Sequence, residues 1–140
     1  MNKINYGRVV LGGLVAGLVL NIGEFVLNTV VLADSMKAFN AAHNFKDPGT
    51  NFIIVAVVLT FLLGIVIVLG YAAIRPRFGA GVKTAIIAAL FAWFGLYFYM
   101  GIFFWLLFGI STSDCILTMV WGLVEYVLAA IAGAWLYKES

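Results

Sequence analysis

The chain carries very little charge for its length. Only 10% of its 140 residues are Asp, Glu, Lys or Arg, whereas 65% are hydrophobic. A soluble globule needs a largely polar surface, which this composition excludes. Most of the basic residues fall at the edges of long apolar runs, so membrane topology explains them better than nucleic-acid binding does. The mean hydropathy of +1.13 instead predicts a protein whose surface faces a lipid bilayer.

The residue types that build metal and catalytic centres are equally scarce. Cys115 is the single cysteine and His43 the single histidine, so neither an intramolecular disulfide nor a Cys/His metal site is expected. We expect Cys115 to act as a small apolar residue and His43 to lie in a solvated loop. The sequence also lacks a phosphate-binding glycine loop and a nucleophile beside a base. We therefore predict no enzymatic activity, no metal and no cofactor.

What the sequence has in abundance is long apolar runs. Four of them cover residues 9–32, 52–74, 84–107 and 115–137. A helix of about 20 apolar residues crosses the hydrocarbon core of a bilayer, which is about 30 Å thick. The sequence thus predicts an all-α integral membrane bundle of four transmembrane helices, forming a single domain over residues 1–140.

The basic residues predict the direction of insertion. Two of them, Lys37 and Lys46, fall in the first outer loop, and the other six fall on the opposite side of the predicted spans: Lys3, Arg8, Arg75, Arg77, Lys83 and Lys138. Loops rich in Lys and Arg stay in the cytoplasm. We therefore expect both termini in the cytoplasm and a multi-pass protein of the bacterial inner membrane.

Three local patterns refine the connections between the spans. In the first outer loop Met36, Phe39 and Ala42 are spaced by three, which predicts a short helix along the membrane interface. Pro76, between two arginines, predicts that the second span stops there. The polar run at residues 111–114 has the spacing of an N-terminal cap for the fourth span.

The first span carries a stripe of small and polar residues on one helix face. Its members follow one another at steps of three or four: Gly13, Gly17, Asn21, Glu24 and Asn28. The two glycines predict a close helix contact, and the polar residues must face protein or water.

The fourth span has a similar stripe, in which Thr118, Gly122 and Glu125 step by four and three. Gly122 is a further candidate for close helix packing. Counted from the predicted span ends, Glu24 and Glu125 lie within about one helical turn of each other in depth. The two carboxyl groups are therefore expected to meet wherever the first and fourth spans are neighbours.

An ionised carboxylate at this depth costs about 2.5 to 3.5 kcal/mol, and none of the four predicted spans contains Lys, Arg or His to compensate it. Two such carboxyls would share a proton or hold a cation. Asn, Thr and the tyrosines of the third span are the available hydrogen-bond donors. We predict a proton or cation site, or alternatively a polar clamp between helices, built from six residues: Glu24, Glu125, Asn21, Asn28, Thr60 and Thr118.

The third span is crowded with aromatic residues on all faces, except for a small-residue face that includes Ala85, Ala88, Ala89 and Ala92. The rings fit lipid contact, helix packing and an interfacial belt. They also allow a third interpretation, in which a lipid or hydrophobic small molecule binds between this span and its neighbours. A lateral groove open to lipid would favour that interpretation.

The runs at residues 17–24 and 120–125, together with the closing residues 133–137, resemble those of small bacterial four-span membrane proteins without an assigned activity. The resemblance implies the same architecture and no particular reaction. Three functional hypotheses follow from the residues. One is a self-associating bundle with a proton or cation pathway, and another is an accessory subunit of a larger membrane complex with a dry, fully hydrogen-bonded polar cluster. The third is binding of a lipid or hydrophobic small molecule.

Overall fold

A computed structural model describes residues 3–139, and this part of the chain contains helices and no strand. The α-helices are α1 (Tyr6–Val26), α2 (Ala33–Ala42), α3 (Thr50–Phe78), α4 (Val82–Trp93), α5 (Met100–Phe108) and α6 (Thr112–Leu136). Two π-helical segments interrupt this pattern. The first, Leu27–Val31, prolongs α1, and the second, Phe94–Tyr99, joins α4 to α5.

Four helical stretches are long and apolar enough to cross a membrane. They are the first span Tyr6–Val31, the second Thr50–Phe78, the third Val82–Phe108 and the fourth Thr112–Leu136. The prediction of an all-α bundle with four transmembrane helices is thereby confirmed, and the chain is a multi-pass membrane protein. Of the predicted domain 1–140, residues 1, 2 and 140 lie outside the described residues.

The second span does not stop at Pro76, as the sequence suggested. Its helix continues to Phe78 and ends at Gly79, whose φ of 85° and N–H bond to the Arg75 carbonyl close it. A proline removes only one backbone donor, and close to a helix end the remaining bonds carry the helix past it. At about 1.5 Å per residue the helix is longer than the hydrocarbon core is thick, so its arginine-bearing end can extend into the headgroup layer.

The short helix predicted in the first outer loop and the cap predicted for the fourth span are both present. The first outer loop contains α2, and the ring of Phe39 meets Phe108 of α5 edge to face, with 6.4 Å between ring centroids. Ser111 caps α6, because its hydroxyl accepts from the Asp114 N–H at 3.2 Å. The α2 helix therefore links the end of the first span to the end of the third.

The spans form a closed ring in chain order. The α1 helix packs against α3 and α6, and α4 packs against the same two helices. The first span is thus a neighbour of the fourth. Glycines make the α1–α3 crossing close, since a Cβ on Gly64 would collide with the backbone of Gly13 and Gly17. The predicted packing glycines of the first span lie at this crossing.

The bundle differs along its length. We call residues 3–20, 63–93 and 125–139 the terminal half, because it holds the first and last described residues, and residues 21–62 and 94–124 the loop half. The terminal half contains nearly all buried side chains, and among them Ala16, Leu20, Ala85, Ala89 and Val68 are completely buried. In the loop half, the described residues that are buried number three: Leu27, Leu32 and Gly122.

Polar contacts close the terminal end of the bundle. Arg75 forms an ion pair with Glu139 at 3.1 Å and lies over the ring of Tyr137. The Tyr137 hydroxyl accepts from the Asn5 N–H at 3.3 Å, and its ring meets Tyr71 edge to face. The N-terminus, the second span and the C-terminus are therefore fastened to one another at this end.

Candidate functional site

Glu24 lies in the last turn of α1, just before the first π segment, and it is partly exposed. One of its carboxyl oxygens accepts a hydrogen bond from the Tyr97 hydroxyl of the third span. The other accepts from the Asn28 side-chain amide at 3.1 Å. The carboxyl is thus held between two donors from two different spans.

Glu125 of α6 reaches the same place from the opposite side. Its side chain is only 5% exposed and packs against the backbone of Gly23, where an added Cβ would lie 2.7 Å from the carboxyl carbon of Glu125. Because Gly23 precedes Glu24 and has no side chain, the carboxyl of the fourth span fits beside that of the first. Glu24 and Glu125 interact electrostatically.

The carboxyl of Glu125 is buried but has no hydrogen-bond partner for either oxygen within residues 3–139. The indole N–H of Trp121, one helical turn earlier, is also buried and unpartnered in the same range. It is nevertheless close enough to act as a donor to the carboxyl, short of ordinary hydrogen-bond geometry. Buried polar groups are nearly always paired, so a carboxyl without a well-formed hydrogen bond marks this place as a candidate binding site.

Tyr97 joins the three spans of this carboxyl site, which we define as Glu24, Glu125, Asn28 and Tyr97. Its ring rests on Gly122 of α6, where an added Cβ would lie 2.6 Å from ring carbons, and it meets the Tyr126 ring edge to face at 5.1 Å. Both tyrosines lie within electrostatic range of the two carboxyls. The predicted packing glycine Gly122 therefore makes room for the side chain that holds Glu24.

Both π-helical segments found within residues 3–139 lie at this site. Asn28 belongs to the first of them and Tyr97 to the second. A π turn inserts an extra residue into a helix and redirects the side chains beside it, and such turns are frequent at functional sites. Here each of the two segments carries a donor to the same carboxyl.

The other three predicted polar residues lie elsewhere. Asn21 donates to the Gly17 carbonyl at 2.9 Å and to the Val57 carbonyl of the second span at 3.4 Å, so it faces the α1–α3 crossing. The Thr60 hydroxyl donates to the Ala56 carbonyl of its own helix at 2.7 Å. Thr118 lines a cavity next to Tyr97. The structure thus brings Glu24, Glu125 and Asn28 together and separates Asn21 and Thr60 from them.

The cavity beside Tyr97 has a volume of about 220 Å³ and lies in the loop half between the third and fourth spans. Its lining is mostly apolar: Leu96, Tyr97, Met100, Gly101, Phe104, Ile110, Cys115, Thr118 and Met119. The indole of Trp93 bonds to the Met119 carbonyl at 2.9 Å and fixes the two spans at its base. We call this cavity the lateral groove.

The charge of the carboxyl site is not balanced by a basic side chain at the same depth. The basic residues within the four spans are Arg8, Arg75, Arg77 and Lys83, and all of them lie near the terminal ends of their helices. The available partners for the carboxyls are therefore neutral donors, a proton or a bound cation.

Comparison with protein-family models, with curated proteins and with solved structures finds no match to this chain. Its function must be argued from the carboxyl site itself.

Proposed function

We propose that this multi-pass membrane protein provides a pathway for protons or small cations, with Glu24 and Glu125 as the groups that bind them. The observation that carries the proposal is the Glu125 carboxyl, which is 5% exposed, lacks a well-formed hydrogen bond in the described chain and packs against Gly23, the residue before Glu24. A helix clamp would be expected to satisfy its buried oxygens, because unpaired ones weaken the fold.

The packing of the bundle supports entry from the loop half. Glu24 is partly exposed and Asn28 is exposed, whereas Leu20 and Ala16, one and two turns deeper on α1, are completely buried. In the proposed pathway a proton or cation reaches the site from the loop end. Onward, the buried residues Leu20, Val68 and Ala129 are apolar, and the buried polar side chains Thr84 and Tyr71 bond to the backbone at Gly79 and Gly81 near the terminal end. Transport through such a bundle would therefore require a second arrangement of the terminal half, as in a carrier rather than an open pore.

We further propose the orientation that the basic residues predict, with the terminal end in the cytoplasm of a bacterium and the loop end outside. Arg8, Arg75, Arg77 and Lys83 support it, because all four occur at the terminal ends of the spans. Reporter proteins fused after Glu139 and within the loop after α2 test this orientation. Activity of the first reporter in the cytoplasm and of the second outside is the expected result, and the reverse pattern would contradict it.

The pathway is tested by flux into liposomes that contain the purified protein. We expect the wild type to dissipate a pH gradient, or a gradient of Na⁺ or K⁺, faster than empty liposomes do. Glu24→Gln and Glu125→Gln should each reduce this flux to the level of empty liposomes, because each removes a titrating carboxyl and keeps a side chain of the same shape.

Two matched control variants test whether the flux depends on these two carboxyls or on the negative charge of the protein in general. Asp34→Asn neutralises an exposed carboxyl in the first turn of α2, and Asp114→Asn neutralises a partly exposed one in the first turn of α6. Both should leave the flux unchanged at equal incorporation of folded protein. Equal flux from all five proteins would contradict the role of the carboxyls.

An absence of flux above empty liposomes in every sample would favour the accessory role instead. In that role the exposed apolar turns of the loop half would be covered by other copies of the chain or by a larger membrane complex. Phe52, Ile53, Ile54 and Val55 are each more than half exposed, so all faces of this turn of α3 lack a neighbour within the described chain.

A further inference from the structure

The carboxyl site and the lateral groove share one wall. The ring of Tyr97 lines the groove, while its hydroxyl donates to Glu24. On the fourth span, Thr118 lines the groove, and Gly122 and Glu125 follow it at steps of four and three along the same face. An α-helix has about 3.6 residues per turn, so Thr118 in the groove wall lies about two helical turns from Glu125.

The surroundings of the carboxyls suit an organic cation better than a hydrated metal ion. Two aromatic rings lie at the carboxyls: Tyr97, whose hydroxyl donates to Glu24, and Tyr126, which follows Glu125 and meets the Tyr97 ring edge to face at 5.1 Å. Ca²⁺ and Mg²⁺ take six or more oxygen ligands, including waters, whereas an alkylammonium ion is attracted by ring faces and by carboxylates. An apolar groove beside such a pair then accepts the uncharged part of the same molecule.

We propose that the lateral groove and the carboxyl pair together bind a small lipophilic organic cation, with its charge beside Glu24 and Glu125 and its apolar part in the groove. This inference rests on the proposed function, because the cation takes the place of the proton at the same carboxyls. Binding of one monovalent cation releases at most one proton, which passes from a carboxyl to the solution. The groove, at about 220 Å³, is smaller than the pockets of drug-sized ligands and fits a group of about one aromatic ring.

Calorimetric titration of the protein in lipid nanodiscs tests this inference with three probes. Benzyltrimethylammonium carries both a ring and a charge, tetramethylammonium carries the charge alone, and neopentylbenzene is the uncharged molecule of the same shape. Protein-free nanodiscs correct for partition into lipid. We expect benzyltrimethylammonium to bind about tenfold tighter than either of the other two, because only it uses both parts of the site.

Two substitutions separate the groove from the carboxyls. Gly101→Leu fills the groove, since a Cβ there already meets the flexible end of Met119 at 2.9 Å. It should weaken the binding of benzyltrimethylammonium about tenfold and leave the binding of tetramethylammonium unchanged. Glu125→Gln should weaken the binding of both cations and leave the binding of neopentylbenzene unchanged. Gly70→Leu is the control, because a Cβ at Gly70 meets nothing within 4 Å.

Proton release is read from the same titrations, by repeating them in buffers of different ionisation heat. Release of a proton on binding to the wild type and its loss in Glu125→Gln would support exchange at the carboxyls. Equal affinity for the cation and its uncharged analogue, or no effect of Gly101→Leu, would overturn the inference. If benzyltrimethylammonium fails to bind while proton flux still depends on Glu24 and Glu125, the inference fails and the proposed function stands. If the cation binds as expected and no flux is found, the transport proposal fails instead.

Discussion

The terminal and loop halves of the bundle are made of the same four spans but pack in opposite ways. In the terminal half the third span presents Ala85, Ala88 and Ala89, which are buried against its neighbours. In the loop half the same span carries Phe103 and Phe104, which are 45% and 44% exposed. Small side chains let helix backbones approach, and bulky ones hold them apart. The carboxyl site lies where close packing ends.

The difference in packing between the two halves explains how a carboxyl can be buried and yet remain within reach of the loop end. Glu125, the first residue of the terminal half in α6, is buried against Gly23, whereas Glu24 is partly exposed and Asn28 is exposed. In the interior of the terminal half a carboxyl would meet apolar neighbours such as Val68 and Ala129. Farther toward the loops it would be exposed to lipid. At the boundary between the two halves, Glu24 has hydrogen-bond donors from the protein and the site can still be reached from the loop end.

The largest expected effect comes from a substitution at the close α1–α3 crossing of the terminal half. Gly64→Ala places a methyl group against the backbone of α1 at Gly13 and Gly17, and a backbone cannot move aside as a side chain can. We expect the free energy of unfolding to fall by about 3 kcal/mol. The measurement is reversible unfolding in mixed detergent micelles, followed by circular dichroism.

The matched change in the loop half is Gly95→Ala, where an added Cβ meets nothing within 4 Å. It should alter the free energy of unfolding by no more than about 1 kcal/mol. Equal losses for the two alanine variants would contradict the difference between the halves.

A smaller effect compares two aliphatic side chains. Val68 is completely buried, whereas Ile54 is 57% exposed. We expect Val68→Ala to lower the free energy of unfolding by about 2 kcal/mol, because it leaves a cavity. Ile54→Ala should change it by less than about 0.5 kcal/mol, since that side chain lacks neighbours in the described chain. The same unfolding assay applies, and a large loss at Ile54 would indicate that the loop half is covered in the micelle by another copy.

The smallest effect concerns the hydrogen bond between Tyr97 and Glu24. Tyr97→Phe removes the hydroxyl and keeps the ring on Gly122 and against Tyr126. Hydrogen bonds between membrane helices contribute about 0.6 to 1.7 kcal/mol, so a loss of that size is expected. A double-mutant cycle with Glu24→Gln measures the coupling between the two side chains. Strict additivity would show that this bond contributes nothing to stability.

The four spans were predictable because hydropathy is a local property of the sequence. Runs of apolar residues, the cap at Ser111 and the spacing of Met36 and Phe39 act over a few neighbours, and the helices they predict are present. Pro76 misled because one missing donor near a helix end is tolerated. Contact between the first and fourth spans depended on the ring order of the helices, which periodicity does not determine.

The carboxyl site was predictable only in part. Glu24, Glu125 and Asn28 stand out as polar residues in apolar runs, and the structure places them together. Tyr97 belongs to a span that is aromatic on every face, and a π segment redirects it, so no periodic signal singled it out. Asn21 was grouped with Glu24 because they share a stripe, yet that stripe is wide enough to face two neighbouring helices, and Asn21 faces the second span.

The most direct test of the account is the substitution Glu125→Met, measured for stability and for flux on the same preparation. If this carboxyl is kept for binding a proton or cation, removing two unpartnered buried oxygens should leave the free energy of unfolding unchanged or raise it by about 1 kcal/mol, and the flux should disappear. A loss of stability as large as that of Gly64→Ala, with flux retained in the protein that remains folded, would contradict the account and identify Glu125 as a structural clamp.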